Sequence, residues 1–557
     1  MDANSGFLPS RLADDALFRN CRRWSAVLLA CLTATVQANV YPTQVRLNGG
    51  ANDVLLVPGG SVTISYLLNE PASAGVTLRI KSGVTMLRTI SLPGGAAGTA
   101  RGTNSVVWDV RDNSGTIVTT GNLTIEVTAA SDGYGGWTQI SNDTDEGNYV
   151  YTPTGIAVNR NTNSPYYGRV FVANAIENPN GVFLPGDKVG LLKANADGSY
   201  AAEGAHSSGG WSWTGDFYSP WKVEVSGDDF VYVNDWTTNG IVLRFDQTIA
   251  TNSQALILRA DNWPSAGAGN LSGPAVVGTG TNTQVWMADI NSPGSTGIRR
   301  FTVSETGSLA TNDPGITVVQ AGGGADLDQF PYDVAVDQSH CVYLIQSRTN
   351  SGDPSPRVFR FPAYAEAGPA LTTADWKIGN ADDSMRQAYG IAVNPSATYV
   401  AVAFGGVGEG FARTGGGARV FHATNGADVV TLTPAPYHEH TDVTWDHVGN
   451  LYACDNWDSV WRVYSPPGPN SATTVALAHV QILPPLTSPV LTNVAVTAGQ
   501  VQFNLDGQAY VSYVIQSSTN LLNWDPVMTN TAAAATRSIA LPTDGTRNFY
   551  RARGSYP

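Results

Sequence analysis

Residues Phe330 to Gln346 read FPYDVAVDQSHCVYLIQ, two mainly apolar runs parted by a short polar segment. Apolar runs of this length, rich in β-branched and aromatic residues, read as two antiparallel strands of a hairpin. The pair recurs along the chain. First strands stand at PTGIAV (from Pro153), SPWKVEV (Ser219), GPAVVG (Gly273), FPYDVAV (Phe330), AYGIAV (Ala388) and HTDVTW (His440), at intervals of 52 to 66 residues. Second strands follow as RVFVAN, FVYVND, QVWMAD, CVYLIQ, YVAVAF and LYACDN, and third strands as VGLLKANADG, GIVLRFD, GIRRFTV, PRVFRF, GARVFHATNG and SVWRVYS. Six four-stranded units of this size predict a closed six-bladed β-propeller, which removes sheet edges by radial repetition. Closure falls to either the early segment GWTQIS (Gly136–Ser141) or the late one VALAHVQIL (Val475–Leu483), and the pattern does not choose between them.

Composition agrees with an all-β chain. Charged residues are 14% of the 557, against about 25% in an average soluble domain, while 59 glycines and 31 prolines supply turns. The formal charge of -14 disfavours nucleic acid and anionic membranes as partners, because no basic surface is left to neutralise phosphates. Near the N-terminus, Arg19, Arg22 and Arg23 precede the apolar run WSAVLLACLTATVQA. This reads as an export signal over residues 1–38, cleaved after Ala38, and predicts a secreted, periplasmic or cell-surface bacterial protein with no transmembrane segment in the mature chain. Leu28-Leu29-Ala30-Cys31 also fits a loose lipoprotein box, with a lipid on Cys31 as the alternative. Beyond the signal only Cys341 and Cys454 remain, which is no disulfide framework.

Two further units flank the repeat. From Val45 to Val127, alternating segments such as SVTISYLLN, GVTLRIKSG, SVVWDV and NLTIEVTA predict a β-sandwich over residues 39–131, with Trp108 buried and Arg111–Gly115 as a hairpin turn. On NEPASAGVTLRI, Asn104, Trp108-Asp109, Arg111-Asp112, Gly115 and GNLTIEV, it resembles the immunoglobulin-like domain of flagellar hook-capping proteins, which implies a docking or spacer role. The pattern P-x-G-I-A-V, V-Y-V-x-D, R-V-x-R-F over residues 132–484 is similar to NHL and lactonase-type six-bladed propellers. Residues 485–557, with Trp524 and the terminal FYRAR, resemble a fibronectin-like module of secreted bacterial proteins. The expected fold class is therefore all-β: a six-bladed propeller flanked by an N-terminal Ig-like sandwich and a small C-terminal sandwich.

Four groups of residues are candidates for chemistry. Aligned second strands put Asn174, Asp235, Asp289, Gln346, Phe404 and Asp455 in one column, predicted to ring the channel. In lactonase-type relatives a comparable ring holds a divalent cation that polarises a carbonyl; the alternative is strand-end side chains accepting backbone N–H bonds. The segment YHEHTDVTWDH puts His438, His440 and Asp442 on one strand face by the period of two, a partial metal site or a polar channel mouth. Asp143 and Asp145 in NDTDEGNY suit Ca²⁺ or a solvated turn. Trp211, Trp213 and Trp236 offer rings for a sugar or for the core. No nucleophile elbow, phosphate loop or Cys-x-x-Cys pair is present. The leading expectation is an exported, non-catalytic scaffold without a cofactor, whose propeller binds a protein or a glycan. Its rival is a metal-dependent propeller hydrolase or lactonase, using Ca²⁺ or another divalent cation held by Asn174, Asp235, Asp289 and Asp455.

Overall fold

The computed structural model describes residues 39–555 except 51–52, 58, 120, 237–240, 259–270, 291–296, 304–314, 329, 347–357, 367, 380–386, 406–415, 433–438, 484, 532–533 and 544–547. The export signal and Cys31 lie outside the described residues, as does His438. Within these residues regular structure is almost entirely β, interrupted by single-turn 3₁₀ segments. No helix among the described residues is long and apolar enough to cross a membrane.

Six antiparallel four-stranded sheets form the blades. Their inner strands are Pro153–Val158, Val223–Val225, Leu271–Val277, Pro331–Val336, Ala388–Val393 and His440–Trp445, at the positions expected from the repeat. Each inner strand packs beside the next, and the sixth packs beside the first, so the ring closes. Blades meet through apolar side chains. At the closing joint, Tyr452, Cys454, Trp461 and Val463 of blade 6 pack with Ile156, Val170 and Val172 of blade 1. Among the described residues, Cys341 and Cys454 are buried free thiols.

The structure chooses the closing strand. Blade 6 takes its outermost strand from Thr138–Gln139, with Gln139 opposite Tyr464 and Thr138 opposite Ser465. The late segment goes elsewhere. Gly468–Ile482 joins a five-stranded sheet of the first sandwich, running parallel to Asp53–Leu56 with Asp53 opposite His479. The propeller therefore ends earlier than the 132–484 span read from the repeats. The chain divides into two compact units, one holding Ala130–Ala472 with residues up to Val40, the other Tyr41–Ala129 with Thr473–Pro557.

In the second unit, the first sandwich buries Trp108 completely, and its indole N–H donates to the Arg111 carbonyl at 2.9 Å. The following turn is held by Asp112, whose Oδ1 accepts from the N–H groups of Ser114 (2.9 Å) and Thr116 (2.8 Å). Gly115 there has φ +84°, a conformation that costs glycine nothing. The C-terminal sandwich is two three-stranded sheets around Val501, Phe503, Leu505, Tyr513, Ile515, Ile539 and Leu541.

Candidate functional site in the propeller channel

The inner strand of each blade is a sheet edge, so its channel-side N–H groups have no ladder partner and must be satisfied by something else. A repeated bulge near the start of these strands sets up the answer. Pro153 faces Asn174 but Gly155 faces Ala173; Pro331 faces Gln346 but Asp333 faces Ile345. The same two-against-one step puts Gly390 opposite Ala403 and Asp442 opposite Cys454, while Lys222 lies opposite Asn234 and Ser272 opposite Ala288. One column of the repeat thus reads Gly155, Lys222, Ser272, Asp333, Gly390, Asp442. Small residues stand on blades 1, 3 and 5, and charged ones on blades 2, 4 and 6.

The charged three meet in the channel. Lys222 Nζ lies 2.8 Å from Asp442 Oδ1, 2.7 Å from the Thr441 carbonyl and 4.0 Å from Asp333 Oδ2. The carboxylates also take the orphan edge donors of the next blade: Asp442 accepts from Ile156 N through its other oxygen, Oδ2, and Asp333 accepts from Ile391 N through the same Oδ2 that faces Lys222, each at 2.9 Å. The small residues are required by this convergence. A Cβ on Gly390 would sit 2.4 Å from Asp442 Oδ1, and one on Gly155 would sit 2.5 Å from the Trp221 carbonyl. Burial pushes the Asp333 and Asp442 carboxyls above the usual range, and the Lys222 ammonium opposes that shift. Glu224, paired with Arg160 at 2.7 Å, is pushed up to about 7, again chiefly by burial. A cavity of about 70 Å³ remains between these groups.

The bulges also aim the residues just before the column. Those residues are Thr154, Trp221, Tyr332, Tyr389 and Thr441. The aromatic ones join across blades at the mouth where the inner strands begin: ring centroids lie 6.0 Å apart for Trp221 and Tyr332, and 5.6 Å for Tyr332 and Tyr389. Trp236 extends the group, 5.4 Å from Tyr332 and 4.2 Å from Tyr218, and Phe217 lies 5.3 Å from Tyr218. Trp221 is fully buried, Trp236 is half-buried and Tyr218 is 36% exposed. The cluster therefore rises from the core to the surface. Trp221 is pinned by its indole N–H to Ser272 Oγ (2.9 Å) and by Lys222 Nζ 5.0 Å from its ring.

The expected ring of Asn174, Asp235, Asp289, Gln346 and Asp455 does not line the channel. All five are buried, but on second strands, one layer behind the inner strands that form the wall. Asn174, Asp235 and Asp455 spend their polar atoms on neighbouring turns and side chains. Asn174 Oδ1 accepts from Thr152 N (2.8 Å), and its amide donates to the Gly186 and Lys188 carbonyls. Asp235 Oδ2 accepts from the Trp211 indole (3.1 Å), and Asp455 from Trp457 N, Asp458 N and Arg462. Phe404 shares that buried column.

The cation candidates are also placed apart. His440 is buried, but the bulge at Thr441 breaks the period of two, and Asp442 turns to Lys222. Asp143 accepts from Gln139 (2.7 Å) and Arg462 (2.9 Å), and Asp145 from Asn142 (2.8 Å). Among the described residues no group of three or more His, Cys, Asp or Glu side chains is arranged to hold a metal ion. Trp211 and Trp213 are half-buried, edge to face at 6.4 Å, and pack on the core between blades 1 and 2, with the Trp213 indole donating to the Ser208 carbonyl. Lys222 and Asp333 were missed by the sequence reading. Their signal is a charged residue at one fixed position of an otherwise apolar repeat strand.

No family model matches the chain, and no curated protein matches it. Among solved structures it is similar to the calcium structure of a Trichoderma reesei carbohydrate-active enzyme of family AA12, with a TM-score of 0.35 and 11% identity over 60% of this chain and 96% of that one. It is also similar to the Niastella koreensis GH74 enzyme (TM-score 0.32, 11% identity, 68% of this chain and 56% of that one). A third likeness is to the complex of KlAtg21 with the coiled coil of AgAtg16 (TM-score 0.30, 12% identity, 68% and 99%). Likenesses this distant leave function to be argued from the residues.

Proposed function

We propose that this chain is an exported binding protein whose propeller recognises a glycan at the aromatic mouth of its channel. The observation that carries the reading is the chain of rings from Trp221 and Tyr332 through Trp236 to Tyr218, graded from full burial to exposure. Rings anchored on a rigid scaffold present apolar faces with polar rims, which suits stacking on sugars at little entropic cost. The carboxylates nearby are committed to Lys222 and to backbone N–H groups, which supports binding over acid–base or cation-assisted hydrolysis. The two sandwiches fit a spacing or presenting role.

The test is calorimetric titration of the mature chain with soluble glucan, mannan and xylan oligosaccharides, repeated with Tyr218→Ala and Trp236→Ala. One class of oligosaccharide should bind, and each variant should weaken it by about tenfold, with the unfolding midpoint of the exposed-site variant Tyr218→Ala unchanged. Absence of binding across the panel, or binding indifferent to both variants, overturns the glycan reading.

A further inference from the structure

We infer that the opposite mouth of the channel, where the inner strands finish, is a binding site for a small organic carboxylate gripped by Arg160 and His447. A cavity of about 390 Å³ opens there, lined by residues of all six blades. Its size falls within the usual range for small-molecule sites, roughly 300–1,000 Å³.

Two cationic or potentially cationic side chains line it with donors to spare. Arg160 spends only Nη2, on Glu224, and its other N–H groups have no hydrogen-bond partner among the described residues. A third of its side chain is exposed. His447 comes from the opposite side of the closing joint, and its ring meets Tyr167 edge to face at 6.1 Å. Neither of its ring nitrogens bonds a described residue. Burial, and after it the Arg160 charge, hold the imidazole below its ordinary value.

Apart from Glu224, the carboxylates around the cavity are occupied by donors other than Arg160 and His447. Asp337 is used by Ser339 N, Cys341 N and Tyr343 Oη; Asp229 by the amides of Asn159 and Asn161. Glu224 holds one arm of Arg160 and leaves the rest. An anion placed between guanidinium and imidazole would gain charge-assisted hydrogen bonds from both. Val276, Val336 and Val393 supply apolar wall, which selects an anion with a compact apolar body over an inorganic one.

Calorimetric titration of the full chain with benzoate, its uncharged counterpart benzyl alcohol, and inorganic phosphate tests this site. Benzoate should bind in preference to the other two. His447→Gln and Arg160→Gln should each weaken it by about tenfold or more, with Arg160→Lys recovering part of the loss. Bound benzoate should also raise the His447 titration midpoint read by NMR. If Arg160→Gln fails to fold, His447→Gln and the NMR titration carry the test. No binding of benzoate, equal binding of benzyl alcohol, tighter binding of phosphate, or benzoate binding undiminished in the His447 variant overturns the assignment.

Discussion

Two columns of carboxylates run through the same six blades, one residue and one strand apart, and they do different work. The second-strand column, with Asp235 and Asp455, ties turns and side chains of its own region. The inner-strand column, with Asp333 and Asp442, reaches across: each accepts an N–H from the next blade, and both face the Lys222 ammonium of blade 2. The difference shows that strand position, more than residue type, decides whether a buried aspartate stabilises a blade or joins blades. An inner strand has an unpaired edge to satisfy, whereas a second strand is paired on both sides.

The largest break in this comparison should come from Lys222→Met. It leaves two buried carboxylates without their cation and should cost about 3–5 kcal/mol in chemical denaturation. Adding Asp333→Asn and Asp442→Asn should recover much of that loss, since uncharged groups no longer need the ammonium. If Lys222→Met alone is neutral, the inner column does not join the blades. Gly390→Ala comes next. Its Cβ would meet Asp442 Oδ1 at 2.4 Å, so the same denaturation should show a loss of about 1–3 kcal/mol from crowding. In the second-strand column, Asp235→Asn weakens one bond from Trp211 and should cost only about 0.5–1.5 kcal/mol. A cost equal to that of Lys222→Met would erase the distinction between the columns.

The smallest effect is on pH dependence. Burial raises the Glu224 carboxyl to about 7, so between the ordinary carboxylate range and that value the folded chain keeps a proton that the unfolded chain releases. Its contribution to stability therefore falls as pH rises from ~4 to ~7, and Glu224→Gln should flatten the urea-midpoint profile over that window. A profile unchanged by the substitution would show that Glu224 titrates alike in both states.

Much of the fold was open to reading because the repeat is local. FPYDVAV and CVYLIQ are neighbours in sequence and partners in the sheet, so blade count and strand order followed from spacing and apolar pattern. Closure was not, since Thr138–Gln139 pairs with Tyr464–Ser465 across more than three hundred residues, and VALAHVQIL carries the same alternation. The site was less legible still. His440 and Asp442 were placed on one face by a strict period of two, and a single bulged residue, Thr441, overturned it. Lys222 and Asp333 stood in view within SPWKVEV and FPYDVAV, but their meaning depends on Asp442, more than a hundred residues further on.

Sequence by itself determined the all-β class, the six inner strands, the buried Trp108 and the hairpin turn after it, because alternation and turn chemistry act over a few residues. Tertiary structure alone decided which strand closes the ring, which carboxylates reach the channel and where the aromatic rings collect. Those outcomes depend on ring closure and on bulges that re-aim one side chain in five of the six blades, and both arise only when distant strands are brought edge to edge.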